Sequence, residues 1–146
     1  IIHWLNTIQP ETHALCLLGD IFDFWFEYKH VIPKGFVRLQ SKLASFADQG
    51  IPVYLFTGNH DYWMQDYFPQ ELRIQVIHGN ATLRIGQISM LVGHGDELVG
   101  NLSYRLLRRY VYSNPFFHTI AKLLHPTLLF TLQKYIAKPL HRKHKK

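Results

Sequence analysis

Three short stretches could do metal chemistry: Gly19-Asp20, Gly58-Asn59-His60-Asp61 and His94-Gly95-Asp96-Glu97. Each closes an apolar run, over residues 14–18, 51–57 and 88–92, and each run reads as a buried strand. In an open α/β sheet ligands bind in the crevice beyond the strand carboxyl ends, so three polar strand ends predict one shared site. Asp20 offers two carboxylate oxygens that can face two cations without moving the backbone. Asn59 adds a neutral amide oxygen and His94 an imidazole. That mixed nitrogen and oxygen set suits Mn²⁺, Fe²⁺ or Zn²⁺ better than Mg²⁺ or Ca²⁺. A lone Gly-Asp is most often a turn; the joint pattern points to metal.

The elements that must position these residues follow from periodicity. Residues 1–7 read as the end of an amphipathic helix, followed by a strand at 14–18 and an aromatic run, 21–28, interleaved with Asp23 and Glu27. Pro33 suits the first turn of a helix whose apolar face is Phe36, Leu39, Leu43 and Phe46, stopped by Gly50. Strand, helix, strand over 14–57 predicts a parallel βαβ unit. A further strand at 73–77 precedes strands at 81–85 and 88–92, joined by Gly86-Gln87 as a type II′ hairpin. The fold class is therefore α/β, a parallel βαβ core with an antiparallel addition. Beyond residue 100 the pattern turns helical, over 102–112, 116–124 and 128–140, with breaks at Asn114-Pro115 and His125-Pro126 and an interruption at Pro139. The expected organisation is a core at 1–100, a helical insertion or lid at 101–140 and a frayed basic tail at 141–146.

Composition narrows the classes. The chain has 146 residues, 47% hydrophobic and 14% aromatic, which is enough for a packed core. The single cysteine, Cys16, excludes a disulfide framework, favours a reducing compartment and is expected in the core. No apolar run is long enough to span a membrane. Charge is segregated: residues 1–97 carry six Lys/Arg against ten Asp/Glu, while 98–146 carry ten Lys/Arg and no acid. A basic half rich in aliphatic and aromatic residues suits an anionic amphiphile, a membrane surface or nucleic acid, or is simply a solvated basic face.

The motif set, in this order and spacing, resembles the calcineurin-like metallophosphoesterases, whose pattern is D-x-H, G-D, G-N-H-D/E, H and G-H-x-H. The continuations Gly19-Asp-Ile-Phe-Asp-Phe-Trp25 and Gly58-Asn-His-Asp-Tyr-Trp63, and a basic helical segment after His94-Gly-Asp96, resemble the UDP-2,3-diacylglucosamine hydrolase branch more closely. The resemblance covers residues 1–140 and implies part of a layered α/β sandwich. It implies that Asp20 bridges two divalent metals, that Asn59 and His94 ligate the second, and that Asn59 also meets substrate. His60 matches a position that contacts phosphate or protonates the leaving group. Asp61 is expected to orient His60 or cap the next turn. Asn101 and Tyr104 fall where an Asp-x-x-Tyr element touches the sugar nucleotide, with Asn replacing Asp.

Two motifs of the pattern are missing, the opening D-x-H and the closing G-H-x-H. Glu11-Thr12-His13 precedes the first strand and reads as a loop; His141 and His144 lack the glycine and spacing. The expectation is a segment of a longer enzyme, inactive alone. The complete enzyme is expected to split the pyrophosphate of UDP-2,3-diacylglucosamine into UMP and 2,3-diacylglucosamine 1-phosphate, a step of lipid A assembly. It is expected in the cytoplasm, peripheral on the anionic inner leaflet of a Gram-negative inner membrane. Leu102, Leu106, Phe116, Phe117 and Leu123 could line an acyl chamber, with Arg105 and Arg108 facing phosphate, or the leucines could form an ordinary helical core. The alternatives are another phosphodiesterase or nuclease of the family, or a non-catalytic membrane-surface module. Interleaved aliphatics, rather than stacking aromatics, argue against nucleic acid. Oligomeric state is not read from the sequence.

Overall fold

The structure, a computed structural model, describes residues 1–96 and 114–141, with side chains to residue 133. The chain divides into two compact units, Ile1–Gly100 and Asn101–Lys146.

In the first unit helix α1 (Ile2–Ile8) runs into a single 3₁₀ turn and then strand β1 (Leu15–Leu18). Helix α2 (Val37–Asp48) crosses to strand β2 (Val53–Phe56), and helix α3 (Tyr67–Leu72) leads to β3 (Gln75–Ile77). The three strands form one parallel sheet in the order β1-β2-β3, with Leu15 opposite Val53 and Tyr54 opposite Gln75. The predicted βαβ unit is thus present, and all three strands deliver their carboxyl ends to one edge.

Helix α2 buries Leu39, Leu43 and Phe46 against the sheet, three of the four positions of the apolar face. It ends in a Schellman closure: Gly50 N–H donates to Ala47 O at 2.9 Å and Ile51 N–H to Phe46 O at 3.0 Å. Gly50 has φ +77, a conformation costly for any residue with a Cβ. The start of α2 differs from expectation. Pro33 lies outside the helix, because Gly35 adopts φ +106, which no right-handed helix accommodates, and the first turn forms at Val37.

The aromatic run folds inward. Phe22 packs on Trp25, Phe36 and Phe68 with ring centroids 4.6, 4.9 and 5.5 Å apart. Together with Leu43, Leu55 and Ile74 they form one core beneath the sheet edge. Glu27, buried despite its charge, accepts from Trp25 Nε1 at 2.9 Å and from Tyr67 N–H at 3.1 Å, so it caps α3 from 40 residues away. Replacing Phe22 by leucine is expected to cost about 1–3 kcal/mol, since three ring contacts are lost; urea denaturation of the chain reads this directly.

Strands β4 (Ala81–Ile85) and β5 (Ile88–Val92) form a separate antiparallel hairpin. Gly86 has φ +61 and Gln87 a negative φ, as a type II′ turn requires. The expectation that residues 88–92 form a buried strand is corrected. Ile88 and Leu91 are 65% and 72% exposed, because β5 pairs only with β4 and no layer among the described residues covers it. Cys16 is half-buried rather than a core residue, since its strand position faces away from α2's apolar stripe; burial still pushes its thiol above the usual range.

In the second unit helix α4 (Pro115–Leu123) starts at Asn114, whose Oδ1 accepts from Phe116 N–H at 2.9 Å. Helix α5 (Pro126–His141) starts beside His125, whose Nδ1 accepts from Thr127 N–H at 3.3 Å. The helix carries through Pro139, where an interruption was expected. Phe116, Ile120, Leu123 and Leu128 are exposed, whereas Ala121 and Leu129 are buried. The expected helix at 102–112 and the tail 142–146 lie outside the described residues. No described helix is long and apolar enough to cross a membrane.

Candidate metal centre

The carboxyl edge of the β1-β2-β3 sheet carries two loops, 19–26 after β1 and 57–63 after β2, stitched by one carboxylate. Asp61 is fully buried. Its Oδ1 accepts from Gly58 N–H at 2.7 Å and from Asp20 N–H at 3.3 Å; its Oδ2 accepts from Ile21 N–H at 2.8 Å and from Phe22 N–H at 3.4 Å. Burial pushes this carboxyl above the usual carboxylate range and the Asp20 charge adds to that, while the N–H donors of Gly58, Ile21 and Phe22 pull the other way. Asp61, expected to orient His60 or cap a turn, thus accepts from backbone N–H groups of both loops.

The cradle shapes the backbone at Asp20. Gly19 has φ +84 and Asp20 φ +52, two successive left-handed residues, of which only the glycine adopts that geometry without strain. The turn aims the Asp20 side chain at the loop after β2: Oδ1 accepts from His60 N–H at 3.0 Å. A Cβ on Gly58 would strike the Asp20 carboxylate and come within 2.6 Å of its backbone nitrogen. Close approach is therefore what Gly58 supplies.

His94 reaches the same point from beyond β5. Its Nδ1 lies 2.7 Å from the Leu18 carbonyl, and its Nε2 lies 3.4 Å from Asp20 Oδ2. A carbonyl only accepts, so Nδ1 carries a proton toward Leu18 and Nε2 is the ring nitrogen that faces the carboxylate. Nε2 and the carboxylate oxygen stand across a gap that a cation would fit. Ligands with bonds of about 2.0–2.2 Å around one ion stand roughly 3.0–3.5 Å apart, which matches the observed separation. A carbonyl behind a metal-binding imidazole is also the usual device for fixing its tautomer.

His60 Nδ1 is 2.9 Å from the Asp23 carbonyl, and Trp25 N–H donates to His60 O at 3.1 Å, so the ring and backbone of His60 are both tied to the loop after β1. Asn59 stands between Gly58 and His60, whose backbones both abut Asp20. Among the described residues no three His, Cys, Asp or Glu side chains are grouped tightly enough to hold an ion on their own.

The calcineurin-like phosphoesterase family pattern matches residues 1–126, most of the chain. The chain belongs to the calcineurin-like phosphoesterase family. Calcineurin-like phosphoesterases use divalent metals, and the facing Asp20 and His94 donors suit such an ion. Among relatives, a UDP-2,3-diacylglucosamine hydrolase of Porphyromonas gingivalis is 36% identical over 125 residues, 84% of this chain and 47% of that protein. A protein of the same name from Proteus mirabilis is 30% identical over 134 residues, 91% of this chain and 55% of its own length. One from Vibrio parahaemolyticus is 27% identical over 112 residues, 76% of this chain and 46% of its own. The chain thus spans about half the length of the curated relatives it matches.

In this phosphoesterase the structure brings Asp20, the Asn59 loop, His60 and His94 together. Asn101, Tyr104, Arg105 and Arg108 lie outside the described residues. Glu11 closes the 3₁₀ turn after α1, so of the expected loop only Thr12 and His13 lie between that turn and β1. Sequence reasoning passed over His78, which follows β3 at the same sheet edge, with Nδ1 3.4 Å from the Thr57 hydroxyl and its ring 5.7 Å from that of Tyr62. Its position directly after a strand was the available signal.

Proposed function

We propose that the whole protein hydrolyses the pyrophosphate of UDP-2,3-diacylglucosamine, giving UMP and 2,3-diacylglucosamine 1-phosphate for lipid A biosynthesis. The observation that carries the reading is the pair Asp20 Oδ2 and His94 Nε2, held 3.4 Å apart with Nδ1 of the ring tied to the Leu18 carbonyl. The names of the relatives support the substrate.

Asp20, Asn59 and His94 would hold a divalent ion, Mn²⁺ before Fe²⁺ or Zn²⁺, with Asp20 shared by a second ion in the complete protein. Bound divalent ions supply positive charge to the pyrophosphate oxygens and acidify a water molecule. His60, anchored through Nδ1 at Asp23, exchanges a proton or hydrogen bond with substrate through Nε2. The Asn59 amide meets the phosphate beside the ion. Asn101 and Tyr104 contact the sugar nucleotide, Arg105 and Arg108 its phosphates. The exposed Phe116, Ile120, Leu123 and Leu128 receive acyl chains. The ten cations beyond residue 97 hold the protein on an anionic membrane surface from the cytoplasmic side.

The test is hydrolysis by the full-length protein, with Mn²⁺ and with EDTA. The expected result is EDTA-sensitive release of UMP from the glycolipid and none of comparable efficiency from DNA or a simple nucleotide ester. Cleavage of DNA or of the simple ester in preference to the glycolipid would overturn the substrate assignment; liposome binding with no metal-dependent hydrolysis would overturn the enzymatic one.

A further inference from the structure

We infer that Asp61 is a positioning residue for the metal centre: its carboxylate holds the left-handed turn at Gly19-Asp20 and so sets the affinity of Asp20 and His94 for a divalent ion. The inference rests on the reading of that pair as metal ligands.

Successive backbone N–H groups in a left-handed turn form a concave anion site of the kind that elsewhere takes phosphate. Here the N–H groups of Asp20, Ile21 and Phe22 form that concavity, and Asp61 fills it from inside the protein. The same carboxylate takes Gly58 N–H, so one residue fixes both loops. Without it the three N–H groups after β1 lose their acceptor in a part-buried site, and the turn has no reason to keep a non-glycine residue at φ +52. A shorter or rotated turn would swing Oδ2 away from His94 Nε2. Asp61 itself donates nothing to the ion, because its oxygens are spent on four backbone donors.

Asparagine at 61 keeps the shape and one acceptor oxygen, but sets an NH₂ group against backbone N–H donors. The experiment compares full-length protein, Asp61→Asn and Ile74→Val, the last trimming a fully buried residue of the same core. Mn²⁺ affinity is read by electron paramagnetic resonance of the free ion, and unfolding is followed in EDTA. Asp61→Asn is expected to weaken Mn²⁺ binding about 10–100-fold. Ile74→Val is expected to lower the unfolding temperature with Mn²⁺ affinity unchanged, which separates positioning from general stability. Affinity of Asp61→Asn within twofold of wild type overturns the inference while leaving the metal reading intact; a wild-type protein that binds no Mn²⁺ overturns both. Amide hydrogen exchange on wild type covers the case of a variant that does not fold. Coupling is reciprocal, so Mn²⁺ must slow exchange at Ile21 and Gly58 if the cradle and the ion are linked. Unchanged exchange at those two amides overturns the inference as well.

Discussion

Asparagine in place of Asp20 is expected to lower kcat/KM of the full-length protein about 10³-fold while the protein stays folded. The carboxylate is partly exposed and its Oδ1 accepts only one backbone N–H, a bond that the asparagine oxygen can keep. What is lost is the charge facing His94. A metal centre supplies several kcal/mol of charge stabilisation, and each 1.36 kcal/mol is about tenfold in rate, so about 10³-fold follows from losing most of it. Steady-state hydrolysis across Mn²⁺ concentrations checks this, with unfolding in EDTA within a few degrees of wild type as the companion result. His94→Ala is expected to fall as far, and the double variant little further, because the two residues act as one unit. A double variant that loses the sum of both effects would show that the two side chains serve different ions or steps.

Gly58→Ala is expected to damage both stability and turnover. Its Cβ would stand 2.6 Å from the Asp20 backbone nitrogen and strike the carboxylate, and the obstructing atoms belong to a turn that three hydrogen bonds to Asp61 hold in place. Overpacking of this sort costs about 1–3 kcal/mol of stability. The larger effect is on chemistry: relief of the clash moves Asp20 away from His94, and a displacement of about 1 Å costs roughly 10²-fold in rate. Gly35→Ala is the control. Gly35 has φ +106 and nothing within 4 Å of its Cβ position, so alanine there brings backbone strain of about 1–2 kcal/mol and leaves turnover intact. Denaturation midpoints and turnover measured side by side separate the two.

The parts of the fold that local pattern controls were legible before any coordinates. The apolar runs at 14–18 and 51–57 carry β1 and β2, the face Leu39, Leu43 and Phe46 seats α2, and Gly86-Gln87 turns the hairpin. Asp20, the Asn59 loop and His94 were legible for a related reason: each follows an apolar run, and ligands collect at strand ends. What escaped was set by contacts distant in sequence. Asp61 receives Ile21 N–H across 40 residues and Glu27 caps α3 across the same distance, and no spacing rule links such pairs. The start of α2 was misplaced because Pro33 advertises a helix that Gly35 then postpones. Residues 88–92 are apolar enough to be a core strand, and periodicity alone cannot report that they lie on a hairpin outside the main sheet.

The hairpin has a practical consequence for anyone producing this polypeptide. Ile-Ser-Met-Leu-Val is an uncharged five-residue stretch of high β-propensity, and among the described residues its outer backbone rim has no neighbour. Such a rim templates pairing with another copy of itself. Concentrated preparations are therefore expected to drift toward aggregates through this ribbon, and a lysine at Leu91, solvent-facing, is the gatekeeper that would keep them dispersed.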